Sequence, residues 1–201
     1  MHRHHLLALA GCTLVSAIAL TDAVTTARTG HNSVFADGPT AVVVATSLVH
    51  GLTYLALLAV LVRERARFTE AGVVARASRR VLQLCLALLS VVFLAVEPVL
   101  RIGGVDPDAD SAVAVGYGIV ATTTLLLMFL AGSALGLALL RHNPLGLGGR
   151  ILGPLLLVVL GTLALGFVAP EWSHPAYAET VINFGIALLG VRVGERVPAG
   201  R

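Results

Sequence analysis

AVVVATSLVHGLTYLALLAVLV, residues 41–62, carries no formal charge from end to end and runs straight into Arg63-Glu64-Arg65-Ala66-Arg67. A hydrocarbon core of about 30 Å takes about 20 helical residues to cross. The stretch has that length. It follows the turn-forming Asp37-Gly38-Pro39 and is closed by an arginine-rich segment reaching Arg80. It therefore reads as a transmembrane helix anchored at its C-terminal end on the cytoplasmic side.

Working outward, five further apolar segments follow the same logic: 6–21 before it, and 81–100, 112–140, 151–169 and 176–193 after it. The expected fold is an all-α membrane protein, a polytopic bundle of six transmembrane helices with both termini cytoplasmic, forming one transmembrane domain over residues 1–201. Composition agrees. Of 201 residues, 57% are hydrophobic and 12% charged, against about a quarter charged in a soluble domain. Six spans leave only short connections and no separate soluble domain.

The first segment follows Met1-His2-Arg3-His4-His5 and contains Leu9-Ala10-Gly11-Cys12. The run Leu6 to Leu20 resembles a secretory signal with a small-residue exit at Ala17-Ile18-Ala19, and its apolar part before Cys12 is short for a lipoprotein signal; an uncleaved helix is expected rather than a cleaved or lipidated one. The segment 112–140 is longer than a bilayer requires and must tilt, kink or project. The last segment is short and polar, with Glu179 and Asn183, and a re-entrant hairpin is its alternative reading. A weak parallel repeat relates 41–100 to 112–171, through Val44-Ala45-Thr46 and Val120-Ala121-Thr122.

Charge placement tests the count independently of hydropathy. With six spans and an inside N-terminus, twelve of the fourteen basic residues fall on the cytoplasmic side, leaving Arg28 and Arg101 outside. The acids Asp22, Asp37, Glu97, Asp106, Asp108, Asp110, Glu171 and Glu179 gather on the other side. The localisation expected is the plasma or inner membrane, multi-pass.

Several function classes drop out. All basic residues are arginine, so chemistry that needs a lysine amine, such as a retinal or pyridoxal Schiff base, is excluded. The arginines flank apolar spans without stacking aromatics, which favours anionic lipid headgroups over nucleic acid as their partner. Cys12 and Cys85 lie in separate apolar segments, without ligand spacing for zinc. The acids at 106–110 lack the glycine and terminal glutamate of a calcium loop. No cofactor or metal is expected, and no hydrolase elbow, zinc-protease motif or phosphate loop occurs.

The informative residues are polar groups inside spans, where hydrocarbon makes them costly. Thr46, His50 and Thr53 recur at i, i+4 and i+7 beside Tyr54. Gln83, Ser90 and Glu97 recur every seven residues, as do Tyr117 and Thr124. Glu179 and Asn183 are four apart and align with Gly190. Counted from the outer ends, His50, Ser90 and Asn183 lie roughly 10–15 Å deep, with Glu97, Tyr117 and Glu179 above them. Converging, these stripes would make an outward-opening polar pocket. Gly132-Ser133-Ala134-Leu135-Gly136 offers a close helix contact, more readily internal than intermolecular.

The expected function is binding or transport of a small or lipid-like ligand, with His50, Tyr54, Tyr117 and Asn183 as ligand-binding residues. One alternative is an intramembrane enzyme in which Glu97 or Glu179 is the catalytic general acid on an apolar substrate. Another is an accessory subunit of a membrane complex, or a homo-oligomer. The combination of few helices with intramembrane carboxylates looks loosely like small membrane-embedded terpene cyclases. None of that group's motifs is matched, and no residue role is carried over.

Overall fold

The computed structural model describes residues 2–31, 38–105 and 111–192; the acidic loop at 106–110, Asp37 and the end of the last expected span lie outside them. Among the described residues the chain is helical throughout, with no strand. In chain order the helices are α1 Arg3–Thr29, α2 Thr40–Arg63, α3 Arg65–Glu70, α4 Val73–Val91, α5 Glu97–Ile102, α6 Ala112–Ala138, α7 Gly146–Leu152, α8 Leu155–Val168 and α9 Ala176–Ala187. A π-helical turn, Val92–Val96, joins α4 to α5, and a 3₁₀ turn, Pro170–Trp172, follows α8.

Five rods are long and apolar enough to cross a membrane: α1, α2, the continuous Val73–Ile102, α6, and Gly146–Val168. Two depart from the expected bounds. The third starts at Val73 rather than at 81, because arginine is a good helix former and Arg76, Arg79 and Arg80 extend the apolar helix backwards. The first runs on to Thr29 and ends at Gly30, whose φ of 74° supplies the left-handed C-cap.

At the sixth expected segment, 176–193, the described helix is shorter than the expected span. α9 has 12 residues, about 18 Å, too short alone for a core of about 30 Å. It is nevertheless among the most buried parts of the molecule, with Ile182, Asn183, Ile186 and Ala187 fully covered. The more apolar α8 points outward, leaving Leu157, Phe167 and Val168 exposed at 71%, 91% and 84%. Past α9 the chain turns at Gly190 (φ 84°), so Gly190 does not continue the helical stripe of Glu179 and Asn183. Its backbone pairs with the start of α7: Gly190 N donates to Leu145 O at 2.8 Å and Leu147 N to Val191 O at 2.8 Å. The non-helical backbone there is thus satisfied by hydrogen bonds within the protein.

Consecutive rods pack antiparallel, at contacts where only a glycine fits. Gly11 meets Thr53, Gly51 meets Leu94, and Gly148 meets the Gly185 carbonyl. Gly132 faces Leu155 and Ile182, while a Cβ on Gly136 would collide with the Leu152 carbonyl. The small-residue motif of α6 is therefore an internal contact. This antiparallel order puts Arg3, Arg63, Arg65, Arg67, Arg76, Arg79, Arg80, Arg141, Arg150 and Arg192 at one end of the bundle, the arginine end. Arg28 and Arg101 lie at the opposite end, which carries the connections after Thr29, Ile102 and Val168.

The π-turn has a local cause. Pro98 has no N–H to give to a carbonyl one turn back, and the helix accommodates it by widening. Glu97 N donates to Val92 O, which leaves Phe93 O without either its α partner or its π partner, since the latter would be Pro98. Ser47 on α2 supplies the missing donor, with Oγ at 2.7 Å from Phe93 O.

Candidate functional site

The α2 stripe read from the sequence is buried as a unit: Thr46, His50, Thr53 and Tyr54 are each at most 5% exposed. Its polar groups first satisfy themselves on their own helix. Thr53 Oγ1 donates to Val49 O at 2.8 Å, and His50 Nδ1 lies 2.9 Å from Thr46 O. A carbonyl can only accept, so Nδ1 carries a hydrogen and the other ring nitrogen, Nε2, is the one presented to the neighbouring helix.

That helix is α9. Tyr54 Oη donates to Glu179 Oε1 at 2.6 Å, a short bond of the kind carboxylates accept. Asn183 Nδ2 reaches the same oxygen at 3.4 Å, and His50 Nε2 stands 4.0 Å from it. Three side chains from two helices thus converge on one carboxylate oxygen. Asn183 is fully buried, and its Oδ1 has no hydrogen-bond partner. The Phe93 ring closes one side, 5.5 Å from the His50 ring and 5.8 Å from that of Tyr54.

The Tyr54 hydroxyl and the Asn183 amide both donate to Oε1 and hold the carboxylate in place beside the His50 ring.

A cavity of about 240 Å³ adjoins the cluster, lined by His50, Tyr54, Phe93 and Glu179 together with Leu89 and Leu125. Its rim includes His174 and Pro175 at the start of α9 and the exposed Thr122 of α6. The recess follows from the shortness of α9. Ala176 packs on Ala19 and Ala23 of α1, so α9 begins about 9 Å below the end of α1.

His174 N-terminally tethers the helix, accepting Ala176 N–H on Nδ1 at 3.2 Å. Burial pushes the His174 imidazole below its ordinary value, against the opposing pull of Asp22 and Glu179. Asp22 is fully buried in α1. Sequence reasoning placed it outside the first span; the helix-forming run Asp22-Ala23-Val24, continuous with the apolar stretch, was the signal that it belongs inside.

Glu97 and Tyr117 lie elsewhere. Glu97 is buried at 5% exposure, with Oε2 at 2.8 Å from Ser47 Oγ, and is not among the residues lining the Glu179 cavity. The π-turn inserts extra backbone between Ser90 and Glu97, so the seven-residue stripe drawn through them on an ideal helix loses its phase. Tyr117 lines a separate cavity of about 290 Å³ with Leu88, Val92 and Leu100. Of the six residues singled out from the sequence, the structure brings together His50, Tyr54, Glu179 and Asn183.

No protein-family model, curated protein or solved structure matches this chain.

Proposed function

We propose that the cavity beside Glu179 binds a small, largely apolar molecule, or the polar end of a lipid-like one, and that binding is coupled to a proton shared by His50 and Glu179. The observation that carries this reading is the convergence of Tyr54, Asn183 and His50 on Glu179 Oε1 at the cavity wall. Apolar lining with a few convergent polar groups is the usual composition of a ligand site. At about 240 Å³ the space is below the roughly 300–1,000 Å³ of drug-sized pockets, which favours a small ligand or one end of a longer one. Among the described residues, Glu179 is the carboxylate lining it, so an acid-catalysed reaction there would rest on Glu179 and not on Glu97.

The same proposal covers topology. α9 and the segment after it run from the connection end to the arginine end, which supports a shortened sixth crossing. With the arginine end cytoplasmic, both termini lie inside, the site opens outward from the inner membrane, and the exposed face of α8 meets lipid or a partner helix.

Native mass spectrometry of protein released from lipid nanodiscs tests the binding role. Wild type should release a bound apolar small molecule or lipid, and retention should fall in Glu179→Gln and in the cavity-filling Leu125→Trp. Absence of any retained species in wild type, or equal retention in both folded variants, would sink the proposal.

A further inference from the structure

A second cluster lies at the arginine end, far from Glu179. His4 and His5 open α1, and Glu64 follows α2. His5 Nε2 is 3.5 Å and His4 Nε2 3.8 Å from Glu64 Oε1, and the ligand atoms of the three residues lie within 4.8 Å of one another. These separations are too long for direct hydrogen bonds, which close at about 2.7–3.2 Å. They are near the spacing set by a shared ion: tetrahedral ligands about 2.0–2.1 Å from zinc stand about 3.3 Å apart.

Each group is already oriented for that task. His5 is 2% exposed, and its Nδ1 lies 2.8 Å from the carbonyl of Ala187 in α9. That nitrogen must donate, which fixes the tautomer and leaves the Nε2 lone pair facing the cluster, the usual outer support of a metal-bound histidine. Glu64 is held by its other oxygen, with Arg67 Nε 3.3 Å from Oε2, and Arg67 also donates to the Gly190 carbonyl. Oε1 is left to the imidazoles. His4 Nε2 is a buried atom with no hydrogen-bond partner. A cavity of about 200 Å³ adjoins His5 and Glu64, bordered by His2 and Gly190, leaving room for water in a fourth position.

We propose that His4, His5 and Glu64 bind one divalent transition-metal ion of the zinc class, joining the start of α1 to the end of α2. Two imidazoles and one carboxylate with an open position suit zinc, cobalt, nickel or copper, whereas magnesium and calcium favour oxygen donors throughout. The sequence alone conceals the site because its carboxylate comes from a different helix and its histidines resemble a polar leader before the first span.

The test uses the full chain in detergent, purified without a polyhistidine tag and stripped with chelator. Titration with Co²⁺ should show one equivalent bound, with the visible bands of a low-coordinate N/O site, displaced by Zn²⁺ and not by Mg²⁺. His4→Ala and Glu64→Gln, which both spare the His5–Ala187 bond, should each weaken Zn²⁺ binding at least tenfold, while His31→Ala at the other end leaves it unchanged. Circular dichroism of the metal-free variants checks that both remain folded. Absence of stoichiometric binding in wild type overturns the proposal, as does binding that survives both substitutions.

Discussion

Ser47→Ala removes a hydroxyl that faces two acceptors, Phe93 O at 2.7 Å and Glu97 Oε2 at 2.8 Å, and the backbone around Phe93 makes the first contact the costly one to lose. Ser47 is 2% exposed and its hydroxyl serves Phe93 O in the π-turn. Glu97 N–H is committed to Val92 O, and Pro98 has none, so the substitution leaves a buried carbonyl without a donor. An orphaned buried group costs about 1–3 kcal/mol. Interhelical hydrogen bonds within membranes average about 0.6 kcal/mol and reach about 1.7, because the unfolded state finds other partners. Phe93 O has no such reserve in the fold, so the expected loss is at the upper end, about 1.5 kcal/mol, or roughly tenfold in the unfolding equilibrium. Unfolding by SDS in mixed micelles, followed by circular dichroism, reads this directly. Pro98→Ala restores a backbone N–H within reach, so Ser47→Ala in that background should cost less than half as much. A cost of under about 0.3 kcal/mol in the native background, or an equal cost in both, would refute the orphan-carbonyl explanation.

Three other outcomes follow from the packing and the charges. Gly136→Ala should destabilise the bundle by about 1–3 kcal/mol, since its Cβ meets the Leu152 backbone, whereas Gly161→Ala, with open space around it, should be neutral or gain up to about 1 kcal/mol; thermal unfolding of the pair separates them. Because His174 is held below its ordinary value by burial, the fold favours its neutral form, so its contribution is complete above about pH 6.5 and is lost as pH falls through the lowered value. His174→Asn keeps an acceptor for Ala176 N–H and should flatten the acid side of the stability profile relative to wild type; an unchanged slope would assign that pH dependence to other groups. Finally, Cys12 and Cys85 are buried, so added cysteines report topology: Glu70→Cys should react with an impermeant maleimide only in inside-out vesicles and Thr29→Cys only in right-side-out ones, and the reverse pattern would invert the proposed orientation.

Hydropathy located the long rods because a span needs only length and apolarity, and the arginines marked one end of the bundle because charge is costly in hydrocarbon. It misjudged α4 at Arg76, Arg79 and Arg80, where charge ends the membrane signal but not the helix. It could not rank α8 against α9. Both are apolar, yet one faces outward and the other fills the centre, a choice made by packing against Gly148 and Gly132 rather than by composition. The same limit applies to the site. Periodicity grouped Thr46, His50, Thr53 and Tyr54 correctly, and paired Glu179 with Asn183, because each set shares one regular helix. Glu97 fell out of register because the π-turn forced by Pro98 breaks the period. The meeting of Tyr54 with Glu179 depends on the rotation of α2 relative to α9, which no single-helix pattern encodes.

The central claim is that Glu179 is a cavity carboxyl held by Tyr54 and poised against His50. Isotope-edited infrared difference spectroscopy of the protein in bilayers, recorded across a pH series, reads that carboxyl itself. The account predicts a carboxyl band that changes with pH, disappears in Glu179→Gln, shifts in frequency in Tyr54→Phe as the 2.6 Å bond is lost, and titrates differently in His50→Ala. A spectrum in which Glu179→Gln removes no pH-sensitive band, or in which Tyr54→Phe leaves that band unmoved, would contradict it.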